Sequence, residues 1–442
     1  MRVHAPSLLF VASLLFSASL MANCMKVTST SSLSAAAIAA GYTAASWTGA
    51  CDTCSGNIGL PATISINSGS NFQPSGTLLA SSVGSFLTSA SNKAYSSNQI
   101  LYRCQLADAG SLFEMYATNG DNAYTGMYTT SEVDGAYYDV AKNVAVRITN
   151  LSSGEYYSRY WKQRQLTADS WFEDGTYIYI PASAFSNVLY EMYKIDSTSY
   201  YVSAANMYKD AYAQPRGYIA FKGPGLDTNA LKDGMDSLSY YYGFYGNWPA
   251  AWSTWGNVTY VRGALCQVKD YPAVVPLPSV SSAVLQSGGS SQAPFSVSLQ
   301  CEAGAKSSTS ASTSSAANVS MGFLVNQPTA VSAAKALGLT TSGGGLTWLL
   351  DNQYGASGVA SGVGIRIYNR TGAALNLLPD RTSTGTGNAR GWYAYQDLTS
   401  LVSSDTVNTY SGDFTASLEA LSGQTITAGT VNAQLQVVVS FQ

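Results

Sequence analysis

Apolar and polar residues alternate with a period of two wherever this chain shows a clear periodicity, and this pattern constrains its fold more than any other. Val144, Val146 and Ile148 share one face of such a segment, and residues 319–325 repeat the pattern. Successive side chains of a strand point to opposite faces, so these segments are predicted to be half-buried strands. Long amphipathic helical patterns are missing, and an Ala-rich stretch over residues 34–45 favours only a short helix. We therefore predict an all-β protein built from antiparallel β-sandwiches.

Length and composition divide the chain in two. Its 442 residues exceed what a single hydrophobic core usually covers, which favours two domains. Tyr and Trp concentrate between about residues 112 and 260, whereas Ser, Thr and Ala dominate later stretches such as residues 302–318. The cysteines group in the same way. We expect a first sandwich over residues 23–256 and a second over residues 257–442.

Residues 1–22 have the organisation of a secretory signal peptide. Arg2 supplies the positive charge, and residues 8–16 form an apolar stretch too short to span a bilayer. The mature chain would lack histidine, because His4 is the only one. This excludes Ser-His-Asp and Cys-His catalysis and imidazole metal ligands. Cys24 follows the signal and raises the alternative of lipidation, but Asn23 fits a lipobox poorly.

The charge balance argues against nucleic acid as a partner. The chain carries 22 Lys and Arg residues against 25 Asp and Glu residues, so it has no cationic field to gather phosphates. No cofactor and no metal is expected from the residue types present.

Six cysteines in an exported chain are expected to be oxidised. Two lie late, at Cys266 and Cys301, and if each domain closes its own bridges these two form a pair. The early four allow three pairings; they are Cys24, Cys51, Cys54 and Cys104. The spacing of Cys51 and Cys54 resembles a redox motif, but it has no βαβ context, so a structural bridge is favoured.

The C-terminal segment alternates most regularly. One face holds apolar residues, namely Val431, Ala433, Leu435, Val437, Val439 and Phe441. The opposite face holds Asn432, Gln434, Gln436, Ser440 and Gln442. Such a strand must find an apolar groove, and an ordinary closing strand of a sandwich is the alternative interpretation.

Four segments in order resemble the pilin domains of bacterial chaperone–usher fimbriae. They are residues 261–268 around Cys266, residues 275–278, residues 294–301 ending at Cys301, and the tail from residue 425, with Phe441 where tyrosine is usual. The resemblance implies an incomplete immunoglobulin-like sandwich that lacks its last strand. It further implies three partners: a periplasmic pilus chaperone, an outer-membrane usher, and the next pilus subunit, which donates a strand to the open groove.

More than 200 residues of different composition precede this pilin-like part, a layout that is similar to two-domain tip adhesins. The layout implies a receptor-binding first domain at the fimbrial tip on the bacterial surface, after export through the periplasm. A host glycan or a matrix protein is the expected receptor, and a glycan is favoured.

Sugar sites need aromatic platforms beside hydrogen-bonding groups. Two aromatic concentrations qualify, one at residues 155–174 and one at residues 240–248. The candidate ligand-binding residues are Trp161 and Trp171 in the first, and Tyr240, Tyr241, Tyr242, Tyr245, Asn247 and Trp248 in the second. Core packing is the alternative for both. Arg159, Lys162 and Arg164 could attract an anionic sugar, although a solvated strand face is favoured for them.

Two other functions compete with the adhesin. A secreted glycosidase needs two carboxylates and no histidine, and Asp169, Glu173 and Asp174 are candidates in type. A pilin-like domain would bring an enzyme no benefit, so we expect no enzymatic activity. The other competitor is a minor structural pilus subunit whose large domain binds no receptor.

Overall fold

The computed structural model describes residues 23–53, 58–67, 71–91, 93–244, 246–310, 318–380 and 387–441. The expected signal peptide therefore lies outside the described residues. Within the described ranges, every helix is too short or too polar to cross a membrane.

Fifteen described strands precede residue 264 and form four sheets. They are β1 (Met25–Lys26), β2 (Thr63–Asn67), β3 (Leu78–Gly84), β4 (Ile100–Gln105), β5 (Phe113–Thr118), β6 (Tyr137–Tyr138), β7 (Val144–Asn150), β8 (Lys162–Gln165), β9 (Phe172–Glu173), β10 (Tyr177–Pro181), β11 (Val188–Lys194), β12 (Met207–Lys209), β13 (Gly217–Lys222), β14 (Ala250–Trp252) and β15 (Thr259–Gly263). The sheet orders are β1-β4-β10-β9, β3-β11-β7-β6, β12-β15-β2 and β14-β13-β5-β8. We call these sheets the first set.

The remaining described strands form two further sheets, the second set. They are β16 (Cys266–Asp270), β17 (Ser291–Cys301), β18 (Lys306–Ser307), β19 (Asn318–Leu324), β20 (Val363–Asn369), β21 (Trp392–Ala394), β22 (Ser400–Ser404), β23 (Asn408–Ala420) and β24 (Gln436–Phe441). One sheet has the order β16-β17-β23-β20 with β22 also on β23, and the other has the order β18-β19-β21 with β24 also on β19. Among the described strand pairs, only β2–β15 and β18–β19 are parallel. The predicted all-β, antiparallel fold class is confirmed.

Helices are few and short in the described residues. They are α1 (Ala35–Ala39), α2 (Phe86–Ser89), α3 (Ser282–Gln286), α4 (Pro328–Ala336) and α5 (Tyr395–Leu398). α1 lies inside the Ala-rich stretch that favoured a helix, and the Ser34 side chain caps it by accepting a hydrogen bond from the Ala37 N–H. α4 was not predicted from the sequence.

The change from the first to the second set falls later than the expected boundary at residue 256. β15 pairs with β2 and β12, so it belongs to the first set. β16 pairs with β17, with Cys266 opposite Cys301. Only Ala264 and Leu265 separate β15 from β16. The interpretation of residues 261–265 as part of the first pilin strand was therefore wrong, and that strand begins at Cys266. Whether the two sets are independent domains stays a prediction.

The expected continuation of the first pilin strand over residues 275–278 was also wrong. These residues form no ladder. Pro276 and Pro278 lack the N–H groups that a ladder needs, so the segment is extended but unpaired.

Two disulfides join described cysteines. Cys24 is bonded to Cys104, and Cys266 is bonded to Cys301. The second pairing is the one that the two-domain interpretation required. The first excludes lipidation of Cys24, because its sulfur is already bonded. Cys51 is also disulfide-bonded, and Cys54 lies outside the described residues.

Each set of sheets has its own apolar core. The largest cluster in the first set draws its buried residues from Cys24 to Tyr260, and the cluster in the second set draws them from Cys266 to Leu421. A smaller cluster in the first set includes Trp161, Tyr218 and Trp248. This smaller cluster lies beneath the loop described next.

Candidate functional site

The tyrosine loop, residues 236–248, presents aromatic side chains to solvent. Tyr240, Tyr241 and Tyr242 are 36%, 58% and 42% exposed. Single exposed tyrosines are ordinary, but three consecutive exposed tyrosines form a contiguous aromatic patch, which is a candidate binding surface. The ring centroids of Tyr240 and Tyr242 lie 6.0 Å apart. Tyr245 lies outside the described residues.

Trp161 and Trp248 were predicted to contact ligand, and this was wrong. They are 0% and 2% exposed, with ring centroids 5.1 Å apart in a T-shaped arrangement. Their indole Nε1–H groups donate to the carbonyls of Tyr240 at 2.8 Å and of Tyr242 at 2.9 Å. The tryptophans therefore support the tyrosine loop from below and cannot present a ring face to a receptor.

An ion pair fixes the start of the loop. Arg159 Nε and Nη2 donate to the two carboxylate oxygens of Asp236, at 2.8 and 2.7 Å. The hydrogen bond from Arg159 lowers the pKa of Asp236 below its ordinary value. Asp236 also accepts from the Leu238 N–H at 3.0 Å. Bidentate Arg–carboxylate pairs are geometrically specific, so the loop leaves the sheet in a defined direction.

The end of the loop is held by backbone contacts. The Asn247 carbonyl accepts from the Tyr102 hydroxyl at 3.0 Å and from the Phe221 N–H at 3.2 Å. Gly243 has φ +67°, and a Cβ there would come 2.8 Å from Thr228 Cγ2. The loop therefore requires glycine at this position. The Asn247 side chain is half-buried beside the exposed tyrosines.

The two predicted aromatic concentrations do not form one site. Trp161 joins Trp248 beneath the tyrosine loop, whereas Trp171 packs half-buried against the largest cluster of the first set. The structure adds Tyr160, which is 53% exposed and bridges in the backbone to Asp236. It also adds Lys26, whose Nζ donates to the Gly246 carbonyl at 3.0 Å. Both contacts depend on long-range pairing, so no local sequence pattern indicates them.

The three cations near the first concentration are all engaged. Arg159 bonds Asp236, Lys162 Nζ lies 3.5 Å from a Glu155 carboxylate oxygen, and Arg164 bonds the buried carboxylate of Glu114. Charges paired in this way offer little attraction to an anionic ligand. The structure therefore gives these residues a structural role.

Two of the three carboxylates considered for glycosidase chemistry lack the property that a general acid needs. Burial alone would raise the pKa of Asp174, but hydrogen bonds from the Tyr177 backbone, the Ser34 side chain, the Thr176 backbone and the Tyr179 hydroxyl lower it to about 2. A hydrogen bond from the Thr167 hydroxyl likewise lowers the pKa of Asp169. A general acid needs a raised pKa, so these two groups are unsuited to that role.

One cluster of metal-ligand types occurs among the described residues, formed by Cys24, Cys104 and Asp108. Its two sulfurs are bonded to each other, so they are not thiolate ligands. We assign no metal to it.

A second candidate site, the groove, is a cleft of about 1390 Å³ in the second set. Residues 271–280 line one side, residues 426–437 line the other, and core residues such as Val297, Phe323 and Ile365 form the floor. Among the described strands, β24 has β19 as its single ladder partner. The groove is therefore an apolar cleft beside an incompletely paired strand.

The apolar residues of the C-terminal segment follow the predicted facing, but the opposite face is not wholly exposed, because Ser440 is half-buried and Val438 is buried in a cluster with Leu378 and Trp392. Val431, Ala433, Leu435, Val437, Val439 and Phe441 all pack against the core of the second set. Asn432, Gln434 and Gln436 are exposed, and Gln442 lies outside the described residues. The ladder covers only Gln436–Phe441, so residues 431–435 are extended without strand pairing.

Comparisons with known proteins identify the class of the C-terminal part. Residues 254–442 match the family model described as fimbrial protein. The C-terminal part is therefore a fimbrial subunit domain, and the resemblance to pilin domains is confirmed.

Solved structures with similarity to the chain include three pilus proteins. The P pilus rod subunit PapA is 15% identical, with 40% of this chain and 99% of that chain covered and a TM-score of 0.24. The CsuC–CsuE chaperone-tip adhesion subunit complex of Acinetobacter baumannii gives 12% identity, coverages of 86% and 97%, and a TM-score of 0.24. The CupB6 tip adhesin of Pseudomonas aeruginosa is 13% identical, with 83% of this chain and 88% of that chain covered and a TM-score of 0.23. No curated protein matches the chain.

Proposed function

We propose that the chain is a fimbrial tip adhesin: the first set of sheets binds a receptor, and the fimbrial domain joins it to the pilus. The observation that carries this proposal is the presence, in one chain, of an open apolar groove and a firmly supported, exposed aromatic loop. The groove suits an incoming strand, and the loop suits a ligand. A subunit with only a structural role would need the groove but not the loop.

The groove is proposed to accept a strand from a periplasmic chaperone and then, at the usher, a strand from the next subunit. Residues 431–435 have no ladder, and within them the Asn432 backbone is bonded to Asp351 and Asn352. An added strand would hydrogen-bond to the other backbone groups of this segment and would place alternate side chains on the apolar floor. Its arrival would cover Leu435 and Val437, which are now half-buried.

The tyrosine loop is proposed to bind a neutral glycan. Tyrosine supplies a flat apolar face and a hydroxyl at a low cost in side-chain entropy, and the side chains of Ser239 and Asn247 supply adaptable hydrogen bonding beside it. Because Arg159, Lys162 and Arg164 are engaged with carboxylates, the loop favours neutral over acidic sugars.

The test is binding of the full chain to a panel of neutral glycans, acidic glycans and matrix proteins, with Tyr241→Ser as the variant. Tyr200→Ser is the matched control, because Tyr200 is also exposed, at 36%, but lies outside the loop. We expect the Tyr241 variant to lose at least about tenfold in affinity, as a lost aromatic platform would cause, and the control to bind normally. No binding to any member of the panel would favour the minor structural subunit. Equal losses in both variants would remove the loop as the site.

A glycosidase is the weaker candidate. Its general acid would have to stay protonated near neutral pH, whereas Asp169 and Asp174 have lowered pKa values. These two carboxylates therefore give no support to a glycosidase, and the adhesin is the preferred proposal.

A further inference from the structure

Glu302 occupies an unusual position for a carboxylate, at the place where the two sets of sheets meet. It is 7% exposed and directly follows Cys301. Its Oε1 accepts hydrogen bonds from Asn67 Nδ2 at 3.0 Å and Asn71 Nδ2 at 3.3 Å, and its Oε2 accepts from the Leu265 N–H at 3.0 Å. We call Ala264 and Leu265, the two residues between β15 and β16, the linker. The Glu302 side chain therefore bonds both Asn67, the last residue of β2, and the linker.

A buried carboxylate is stable only when hydrogen-bond donors replace the water it has lost. The three donors do so here, and each comes from the far side of the junction or from the linker itself. Removing the acceptor would leave the buried Leu265 N–H and the buried Asn67 amide without this partner. The contacts of Glu302 are thus mutually dependent.

The neighbouring disulfide fixes the direction of the Glu302 side chain. Cys266 and Cys301 are bonded, so Leu265 and Glu302, which flank them, are held side by side. The Glu302 N–H donates to the Leu265 carbonyl at 2.9 Å, which extends the β16–β17 pairing by one step. The carboxylate therefore projects from a rigid base towards the first set.

Apolar packing does not explain how the two sets are oriented. The apolar clusters of the described residues lie wholly on one side of Leu265 or the other. Parts of a chain that share no large apolar interface normally move relative to each other. A specific polar contact is then needed if they are to keep one orientation.

We propose that Glu302 is an interdomain clamp, which fixes the first set of sheets on the fimbrial domain and shortens the effective linker to Ala264. The Leu265 N–H donates to the Glu302 carboxylate, and the Leu265 carbonyl accepts from the Glu302 N–H. Tension between the two sets of sheets would therefore act on these hydrogen bonds as well as on the covalent chain. This proposal does not depend on what the tyrosine loop binds.

The test is Glu302→Gln in the full chain. Glutamine keeps the size of the side chain but has one oxygen and one NH2 group, so its NH2 must face either the Leu265 N–H or the asparagine NH2 groups. Glu173→Gln is the matched control, because Glu173 is exposed on β9. The measurements are hydrogen exchange at the Leu265 amide, small-angle X-ray scattering and calorimetry.

We expect the Leu265 amide of Glu302→Gln to exchange about tenfold faster and the scattering to report a wider range of shapes. The core amides of both sets should keep their protection. Exchange and scattering equal to those of the control would overturn the proposal.

A second variant covers the case in which Glu302→Gln does not fold. Asn71→Ala removes one donor from an exposed loop residue and leaves both cores intact. We expect the same changes at a smaller amplitude. An Asn71→Ala protein with unchanged Leu265 exchange and unchanged scattering would count against the clamp.

Discussion

Each of two buried indoles donates its Nε1 hydrogen to a carbonyl of the tyrosine loop, so the loop backbone is bonded to the core at Tyr240 and Tyr242. Two such bonds under three exposed rings limit the conformations that the rings can sample. A rigid aromatic surface loses less entropy on binding than a mobile one, which favours affinity without additional contacts.

We predict that Trp161→Phe will loosen the loop although Trp161 is buried. Phenylalanine keeps the apolar packing but removes the donor, leaving the Tyr240 carbonyl without this bond, at a cost of about 1 kcal/mol. The expected result is faster chymotryptic cleavage within residues 240–242, measured by mass spectrometry, with a small decrease in the free energy of unfolding.

Trp171→Phe is the control for this change. The Trp171 Nε1 atom is buried and has no hydrogen-bond partner among the described residues, so the same substitution removes a ring of equal size but no bond. Equal acceleration of loop cleavage in both variants would show that ring volume, and not the hydrogen bond, holds the loop.

The presence of an exposed aromatic loop could be predicted from the sequence, but which of its aromatic residues are buried could not. A run of tyrosines next to Gly243 and Gly246 indicated a loop with an aromatic surface, and this is what the structure has. The same run gave no reason to separate Trp248 from its neighbours. Its burial depends on Trp161, which lies 87 positions earlier in the sequence. Contacts between distant strands leave no local pattern.

At the scale of elements, the turn between β9 and β10 depends on one carboxylate. Asp174 Oδ1 accepts from the N–H groups of Thr176 and Tyr177, at 3.0 and 2.8 Å, and Oδ2 accepts from the Tyr179 hydroxyl at 2.9 Å. These bonds favour the ionised form. They also hold β9, the edge strand of this sheet, in register with β10.

We predict that this turn weakens only in strong acid. The pKa of Asp174 is lowered to about 2 in the folded protein, below its ordinary 3.8. A group with a lowered folded pKa contributes stability above its unfolded pKa and loses it as pH falls through the folded value. The contribution should be complete above about pH 5 and be lost on approaching pH 2.

Asp174→Asn should therefore reduce the unfolding temperature at pH 7. The variant should also lack the share of the acid-induced decrease in unfolding temperature that comes from protonation of Asp174. The measurement is thermal unfolding from pH 7 to pH 2, with Asp405→Asn, an exposed site, as the control. A pH profile of Asp174→Asn parallel to that of the wild type would contradict the assignment.

Substitutions in the C-terminal segment test which of its side chains face the groove and which face solvent. Leu435 packs against the core of the second set, whereas Gln436 is exposed. Leu435→Asp would place an unpaired charge on the apolar lining of the groove, at a cost of several kcal/mol. Gln436→Asp changes the neighbouring residue to the same side chain on the solvent side, so it should matter far less.

The measurement is periplasmic yield together with recovery of the bound chaperone. We expect Leu435→Asp to be nearly absent and Gln436→Asp to approach the wild-type yield. A one-residue shift in register would exchange the two faces, so equal yields, or a lower yield for Gln436→Asp, would contradict both the facing and the proposed strand addition.

The facing of strictly alternating strands could be predicted from the sequence. The extent of strand pairing could not, because it depends on which distant segments lie beside the strand. The apolar face of residues 431–441 is as the period of two indicated, because burial on one side fixes the alternation. How far the ladder extends is a different matter. Residues 431–435 form no ladder, although the Asn432 N–H donates to Asp351 and its carbonyl accepts from the Asn352 N–H. A ladder needs a neighbouring strand, and the prolines of residues 275–278 on the opposite side of the groove cannot supply it.

At the scale of the whole molecule, the two sets of sheets differ in completeness. The first set encloses its largest cluster with four sheets and a disulfide from Cys24 to Cys104. The second set leaves a cleft of about 1390 Å³ over its core. An open cleft exposes apolar side chains and strand edges, which favours aggregation.

We predict that residues 23–263 fold alone and that residues 264–442 do not. The first fragment should be monomeric and melt cooperatively, because its sheets and core end at β15. The second should aggregate or fail to melt cooperatively unless a strand fills its groove. The measurements are size-exclusion chromatography and calorimetry of both fragments after oxidative refolding, so that the Cys266–Cys301 bond forms in the second fragment.

Joint expression of residues 264–442 with a pilus chaperone is the matched control, because it supplies the strand without changing the fragment. Recovery of a soluble complex only with the chaperone would attribute the instability to the open groove and not to the missing first set. A monomeric, cooperatively melting second fragment without any added strand would contradict the incomplete sandwich. In that case residues 271–280 would have to close over the groove in solution, and the proposed route of assembly by strand addition would fail with it.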